Sequence, residues 1–220
     1  MRAIHFMMID YIKMRQQLYF MPLFLVIALA LWGQGFFILV PFAYMLFVAI
    51  IFATAPFGTC RRGDAGFLIL LPSTVTHRIL GRFLYGMSFV GIAVISGGVF
   101  VANSQLMGQK TERWMLEASL ILLALCILII TLEFLLLYLV GEHLAPQLLG
   151  IVRVAPPMAG FFATMYLMDD IEMMRDLTAM HDMGDGLLLQ AGCIALAAAL
   201  VVLAVSIVIC VKVTQKRDYV

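Results

Sequence analysis

Charge is what this sequence has least of. Only 12% of its 220 residues are Asp, Glu, Lys or Arg, against about 25% in soluble domains. The shortage excludes a water-soluble globular fold, because 64% hydrophobic residues and a mean hydropathy of +1.07 leave too little polar surface to coat one. It also argues against nucleic acid as a partner, since no basic patch is available. The net charge of +1 is uninformative by itself, because in an apolar chain the placement of charge matters and its sum does not.

The signatures of enzymatic chemistry are missing too. No GxxxxGK[ST] pattern occurs, so ATP cannot be bound and hydrolysed here by that route, and there is no HExxH zinc motif or GxSxG nucleophile turn. Cys60, Cys126, Cys193 and Cys210 have no metal-ligand spacing and read as small apolar side chains. The glycine-aspartate pair in Met183-Gly184-Asp185-Gly186 sits in an acidic loop, outside any apolar run, which argues against an intramembrane aspartyl protease. Charges scattered through MRAIHFMMIDYIKMRQQ, with no small-residue cleavage site after the first apolar run, give no expectation of a cleaved signal peptide. The chain is expected to hold no metal or cofactor and not to be an enzyme.

What is present is a series of apolar runs long enough to cross a bilayer. The expected architecture is an all-α integral membrane protein, one transmembrane domain over residues 1–220. Its six transmembrane helices fall at about 18–32, 36–57, 84–102, 116–140, 154–168 and 187–211. The first is short at about 22 Å of helix against about 30 Å of hydrocarbon, and the fifth is short and interrupted by Pro156-Pro157. Gly86, Ser88, Gly91, Ser96, Gly97 and Gly98 make the third a helix suited to close packing, inside the bundle or against a second copy.

Residues 1–17 read as an interfacial helix. Ile4, Met7, Met8, Tyr11 and Ile12 follow the i, i+3, i+4 spacing, with Arg2, His5, Lys13 and Gln16 opposite, although Phe6 and Ile9 interrupt the polar face. The other reading is a frayed start to the first span. Orientation follows from the basic residues. With the N-terminus inside, Arg2, Lys13, Arg15, Arg61, Arg62, Arg78, Arg82, Arg153, Lys212, Lys216 and Arg217 are cytoplasmic, and only Lys110, Arg113 and Arg175 are outside. That asymmetry predicts both termini on the cytoplasmic side.

The loop 58–83, GTCRRGDAGFLILLPSTVTHRILGRF, is the most patterned interruption. After Arg61, Arg62 and turn residues comes a run of five apolar residues, Phe67 to Leu71, too short to span a bilayer and stopped by Pro72. Ser73 and Thr74 are good helix N-caps for a short helix that runs on from Val75 into the third span. The apolar run needs covering, either by a partner's cleft or by folding back on the spans.

Asp64, Leu71-Pro72, the cap Thr74, and Gly81-Arg82-Phe83-Leu84 at the membrane edge resemble the segment after the second span of short permease subunits of bacterial ABC-2 type exporters. The chain departs from that family's pattern at Val75, Thr76 and Arg78. The resemblance implies an elbow helix over 1–17 and a cytoplasmic coupling helix. Leu70, Leu71, Thr74, Thr76, His77 and Arg78 would then dock on a cytoplasmic ABC ATPase subunit, which holds the ATP and Mg. It implies pairing with a second permease, as homodimer or heterodimer, among membrane lipids, and export of cargo such as amphipathic peptides of the phenol-soluble-modulin type. The alternative is a non-transporting scaffold or regulatory subunit.

Two further features bear on function. Glu133 lies within the fourth span, where an ionised carboxylate facing lipid costs several kcal/mol. It reads either as a pathway or gating residue or as a hydrogen-bonded tie between helices. The outer loop 169–186 carries Asp169, Asp170, Glu172, Asp176, Asp182 and Asp185 against Arg175 alone. It reads as solvated surface, or as an exit mouth favouring cationic or amphipathic cargo, with Asp169, Asp170, Glu172 and Asp176 at its rim.

Overall fold

A computed structural model describes residues 3–33, 39–58, 74–106, 113–140 and 187–218. Every regular element among them is helical. In chain order they are α1 (Ala3–Lys13), α2 (Arg15–Leu18), α3 (Met21–Gly33), α4 (Leu39–Ala53), α5 (Ala55–Gly58), α6 (Val75–Leu106), α7 (Arg113–Val140) and α8 (Leu187–Asp218). Four stretches are long and apolar enough to cross a membrane: Leu39–Phe57, Val75–Leu106, Met115–Val140 and Leu189–Lys216. The expected spans 36–57, 116–140 and 187–211 each coincide with one of these. The expected span 154–168 lies outside the described residues, as do most of the loop 58–83 and the acidic loop 169–186.

The N-terminal region departs most from its expected form. In place of one helix over 1–17 and a span over 18–32, the chain breaks at Met14 and again at Tyr19 and Phe20. Ala3–Lys13 and Arg15–Leu31 meet at a bend of 70°. With 13 residues, α3 is about 20 Å long and does not reach across about 30 Å of hydrocarbon unaided. Counted with the helices before it as one bent pair, it makes a fifth candidate span by length and composition.

Helix α1 buries one side against the other helices and leaves another exposed. Ala3, Phe6 and Asp10 pack inward, whereas Ile4, Met8 and Ile12 stay exposed. Phe6, which interrupted the expected polar face, is the anchor, only 4% exposed. Met7 and Tyr11 of the expected apolar stripe pack against the core as well, so that stripe is divided between the packed and the exposed side.

Helix α4 ends where Pro56 requires it, because a proline ring removes an N–H and clashes with the carbonyl four residues back. A turn at Thr54, closed by the Phe57 N–H on the Thr54 carbonyl at 3.1 Å, starts the short α5. The expected short helix after Thr74 does run on into the third span. Val75–Leu106 is one helix of 32 residues, about 48 Å long. That is well beyond the hydrocarbon thickness, so one end projects or the helix tilts. Its buried residues Ile79, Phe83, Gly86, Val90, Ala93, Gly97, Phe100 and Ser104 recur at alternating steps of four and three, one continuous seam.

That seam meets α4 and, through Phe83 and Gly86, Phe134 of α7, and α1 lies across the same helix near its N-terminal end. Helix α7 packs on α4 and α6, and α8 lies mainly along α7 with a smaller contact on α6. Aromatic rings fill the centre. Phe24, Phe52, Phe89 and Tyr85 form a chain with successive centroids 5.8, 5.6 and 5.0 Å apart, linking α3, α4 and α6. Gly86 faces the Phe134 ring of α7, where a Cβ would come within 2.8 Å of a ring carbon. The small residues of α6 therefore divide: Gly81, Gly86 and Gly97 meet close neighbours, and Gly91 and Gly98 open outward.

Candidate functional site

The segment singled out by the sequence begins α6. The Thr74 carbonyl accepts the His77 N–H at 3.0 Å and the Arg78 N–H at 3.4 Å, so Thr74 occupies the N-cap position. Its hydroxyl meets the His77 Nδ1 at 2.6 Å, a side chain and not the backbone N–H that a threonine cap ordinarily serves. Thr74 and Thr76 are exposed, His77 and Arg78 are half-buried, and Ile79 is buried. The first turn thus presents a polar face outward while its other face roots in the core. Of the expected docking residues, Thr74, Thr76, His77 and Arg78 share this turn. Leu70 and Leu71 lie outside the described residues, as do Asp169, Asp170, Glu172 and Asp176.

One turn further on, Gly81-Arg82-Phe83 ties four elements together. At Gly81 the backbone of α1 crosses α6 so closely that a Cβ would lie 2.5 Å from the Phe6 Cβ and 2.7 Å from the Ala3 carbonyl oxygen. Arg82 Nε stands 4.0 Å from Asp10 Oδ2 on α1, and its guanidinium carbon lies 4.4 Å from the centre of the Phe57 ring in α5. Arg82 also hydrogen-bonds the Tyr138 side chain of α7. The Phe83 ring is 4.6 Å from that of Phe134, again on α7. A glycine, a cation and an aromatic in sequence thus serve as a close crossing, a charge bridge and a packing knob.

Asp10 is 3% exposed. Burial raises its carboxyl above the ordinary 3.8, with the Arg82 and Lys13 charges pulling the other way. Beside it, Ser88 donates its one hydroxyl proton to the Tyr85 carbonyl at 2.5 Å, so the Tyr11 hydroxyl is the donor in its 2.5 Å bond to Ser88. Tyr11 also meets Tyr85 edge-on at 4.8 Å. These contacts fasten α1 to α6 over two turns.

Glu133 is fully buried on α7. It lies seven residues from Cys126, on the same face and within electrostatic reach of that thiol. Cys126 in turn donates to the Leu46 carbonyl at 3.6 Å, which directs this face toward α4. Among the described residues no group of three or more His, Cys, Asp and Glu is placed to hold a metal. Cys126, Cys193 and Cys210 are free thiols.

The sequence reading missed Asp10, Tyr138 and the bond between Tyr11 and Ser88, and it missed Glu117, a buried acid near the start of α7 beside Gly192 of α8. Asp10 carried a usable signal, the only acid in the first sixty residues. Its partner, 72 positions away, carried none. Set against models of protein families, curated proteins and solved structures, the chain has no significant match.

Proposed function

We propose that this chain is the membrane-spanning subunit of an ATP-driven ABC-2 type exporter. It would pair with a second permease and with separate cytoplasmic ATPase subunits, in a six-span arrangement with both termini inside. The observation that carries the reading is the unbroken helix Val75–Leu106, whose first turn offers Thr74 and Thr76 outward and whose second turn holds Arg82. A helix without a joint transmits displacement along its axis. A push on its exposed end would reach α1, α5 and α7 through the Asp10, Phe57 and Tyr138 contacts of Arg82. Two permeases, each moved in this way by ATPase closure, would alternate inward and outward access for an amphipathic cargo. The basic asymmetry supports a cytoplasmic position for this end, and α1 at 70° to the helix after it supports an elbow at the inner membrane face. The full burial of Glu133 favours its role as a tie between helices over a place on an open pathway.

The reading is tested by placing a charge in the apolar run before the helix. Leu70→Glu should leave the protein inserted and monodisperse but remove a Walker-motif ATPase from the purified complex. Retention of that ATPase at wild-type stoichiometry would refute this docking surface.

A further inference from the structure

Where the chain turns from α1 toward α3 there is an open groove of about 370 Å³. It is lined by Tyr11 and Ile12 of α1, Arg15 and Leu18 of α2, and Tyr19 just beyond. One wall is fixed, because Tyr11 is held by its bond to Ser88 and its edge contact with Tyr85. The rest offers apolar surface, with Ile12 72% and Tyr19 67% exposed. From Tyr19 the apolar surface continues without a charge onto α3, through exposed Phe20, Leu23, Val26 and Ile27. Leu23, Val26 and Ile27 share one helix face, a track of the kind an acyl chain follows.

At the head of the track stands a cation. Arg15 donates from Nε to the Tyr19 hydroxyl at 3.2 Å, and its guanidinium carbon lies 6.0 Å from that ring. This bond fixes the guanidinium plane and leaves the two terminal nitrogens, with four of the five N–H donors, for another acceptor. Among the described residues no carboxylate lies within ion-pair distance of Arg15. An exposed arginine with donors to spare, at a bend of 70° where an apolar track begins, matches the two ends of one amphiphile.

We propose that this groove is a phospholipid site, with an anionic headgroup phosphate on Arg15 and an acyl chain laid along Leu18, Tyr19, Leu23 and Ile27. A free anion would use Arg15 and ignore the track. The lipid uses both, and the apolar surface lies on a helix that is part of the fifth candidate span. The site is independent of any ATPase partner.

The test uses the purified full chain in detergent, titrated by native mass spectrometry with phosphatidylglycerol, with phosphatidylcholine of matched chains, and with inorganic phosphate as competitor. The chain should bind phosphatidylglycerol about fivefold more tightly than phosphatidylcholine, the factor one basic side chain contributes near an anionic headgroup. Inorganic phosphate should not displace the lipid. Arg15→Gln should abolish the headgroup preference while both lipids still bind, and Leu23→Ser should weaken both. Tyr19→Phe, which keeps the ring and removes only the hydroxyl holding Arg15, should lower the preference part of the way and needs no folding allowance. Lys216→Gln, an exposed cation on α8, should change nothing. A preference that survives Arg15→Gln overturns the site, and displacement by inorganic phosphate overturns its assignment to lipid.

Discussion

Replacing Gly81 by alanine adds one methyl group at the crossing of α1 and α6, and the structure says what that methyl meets. Its carbon would stand 2.5 Å from the Phe6 Cβ, 2.7 Å from the Ala3 carbonyl oxygen and 3.2 Å from the Met7 nitrogen. Carbon atoms pack at about 3.5–4.0 Å, so the separation must grow by roughly 1 Å. Two of the three obstacles are backbone and the third is a Cβ, so no rotamer change relieves them. Helix α1 has to move as a body, loosening Phe6, the Asp10–Arg82 pair and the Tyr11–Ser88 bond together. Overpacking of this kind costs about 1–3 kcal/mol, equivalent to an increase of roughly five- to 150-fold in the opening equilibrium of α1. Hydrogen–deuterium exchange resolved to residues 3–13 reads this directly. The matched control is Gly91→Ala ten residues along the same helix, where a Cβ meets nothing within 4 Å. There alanine should be neutral or stabilise by up to about 1 kcal/mol through helix propensity. Equal exchange of α1 amides in wild type and Gly81→Ala would refute the close crossing.

Three further outcomes follow from the same geometry. Because burial raises the Asp10 carboxyl, the stability this group contributes is fully present below its ordinary 3.8 and is lost as pH rises through the raised folded value. Wild type should therefore lose stability relative to Asp10→Asn across that interval and keep a constant difference above it, as read by thermal unfolding in detergent at a series of pH values. Glu133→Gln, which keeps hydrogen bonding, should give near wild-type yields of monodisperse protein, whereas Glu133→Leu strands its buried polar surroundings at about 1–3 kcal/mol and should lower the yield in size-exclusion chromatography. Thr74→Ala removes only an exposed hydroxyl bond to the His77 ring and keeps the carbonyl that accepts the first-turn N–H groups, so it should cost less than the roughly 1 kcal/mol of a lost backbone cap and leave exchange of the first-turn amides of α6 near wild type.

The helices long and apolar enough to cross a membrane were legible because apolar length is a local property. The expected 116–140 differs by one residue at its start from Met115–Val140, and 36–57 by three from Leu39–Phe57. The continuity of α6 from Val75 was legible for the same reason, since nothing between Thr74 and Leu84 breaks a helix. Which face of α1 meets protein was not legible. Ile4, Met8 and Ile12 form a proper stripe and so do Ala3, Phe6 and Asp10, and periodicity cannot say which meets protein. The ties that define the candidate site were not legible at all. Asp10 with Arg82 and Tyr11 with Ser88 join positions more than seventy residues apart, and their partnership is made by the Gly81 crossing, which in the sequence is one glycine among 17. The sequence did mark Gly81-Arg82-Phe83 as a unit, at the membrane edge. The structure adds that the unit fastens α1, α5 and α7 to the helix that carries it.

The central claim, that the exposed start of α6 meets an ATPase, is open to direct capture. A photo-crosslinking residue placed at Thr76, exposed in the first turn, should yield on irradiation of native membranes an adduct with a protein bearing a Walker A motif, and the same probe at Ile95, 69% exposed midway along the helix, should not. Absence of that adduct from Thr76, together with labelling of a cysteine at the same position by a membrane-impermeant reagent applied to intact cells, would contradict the account.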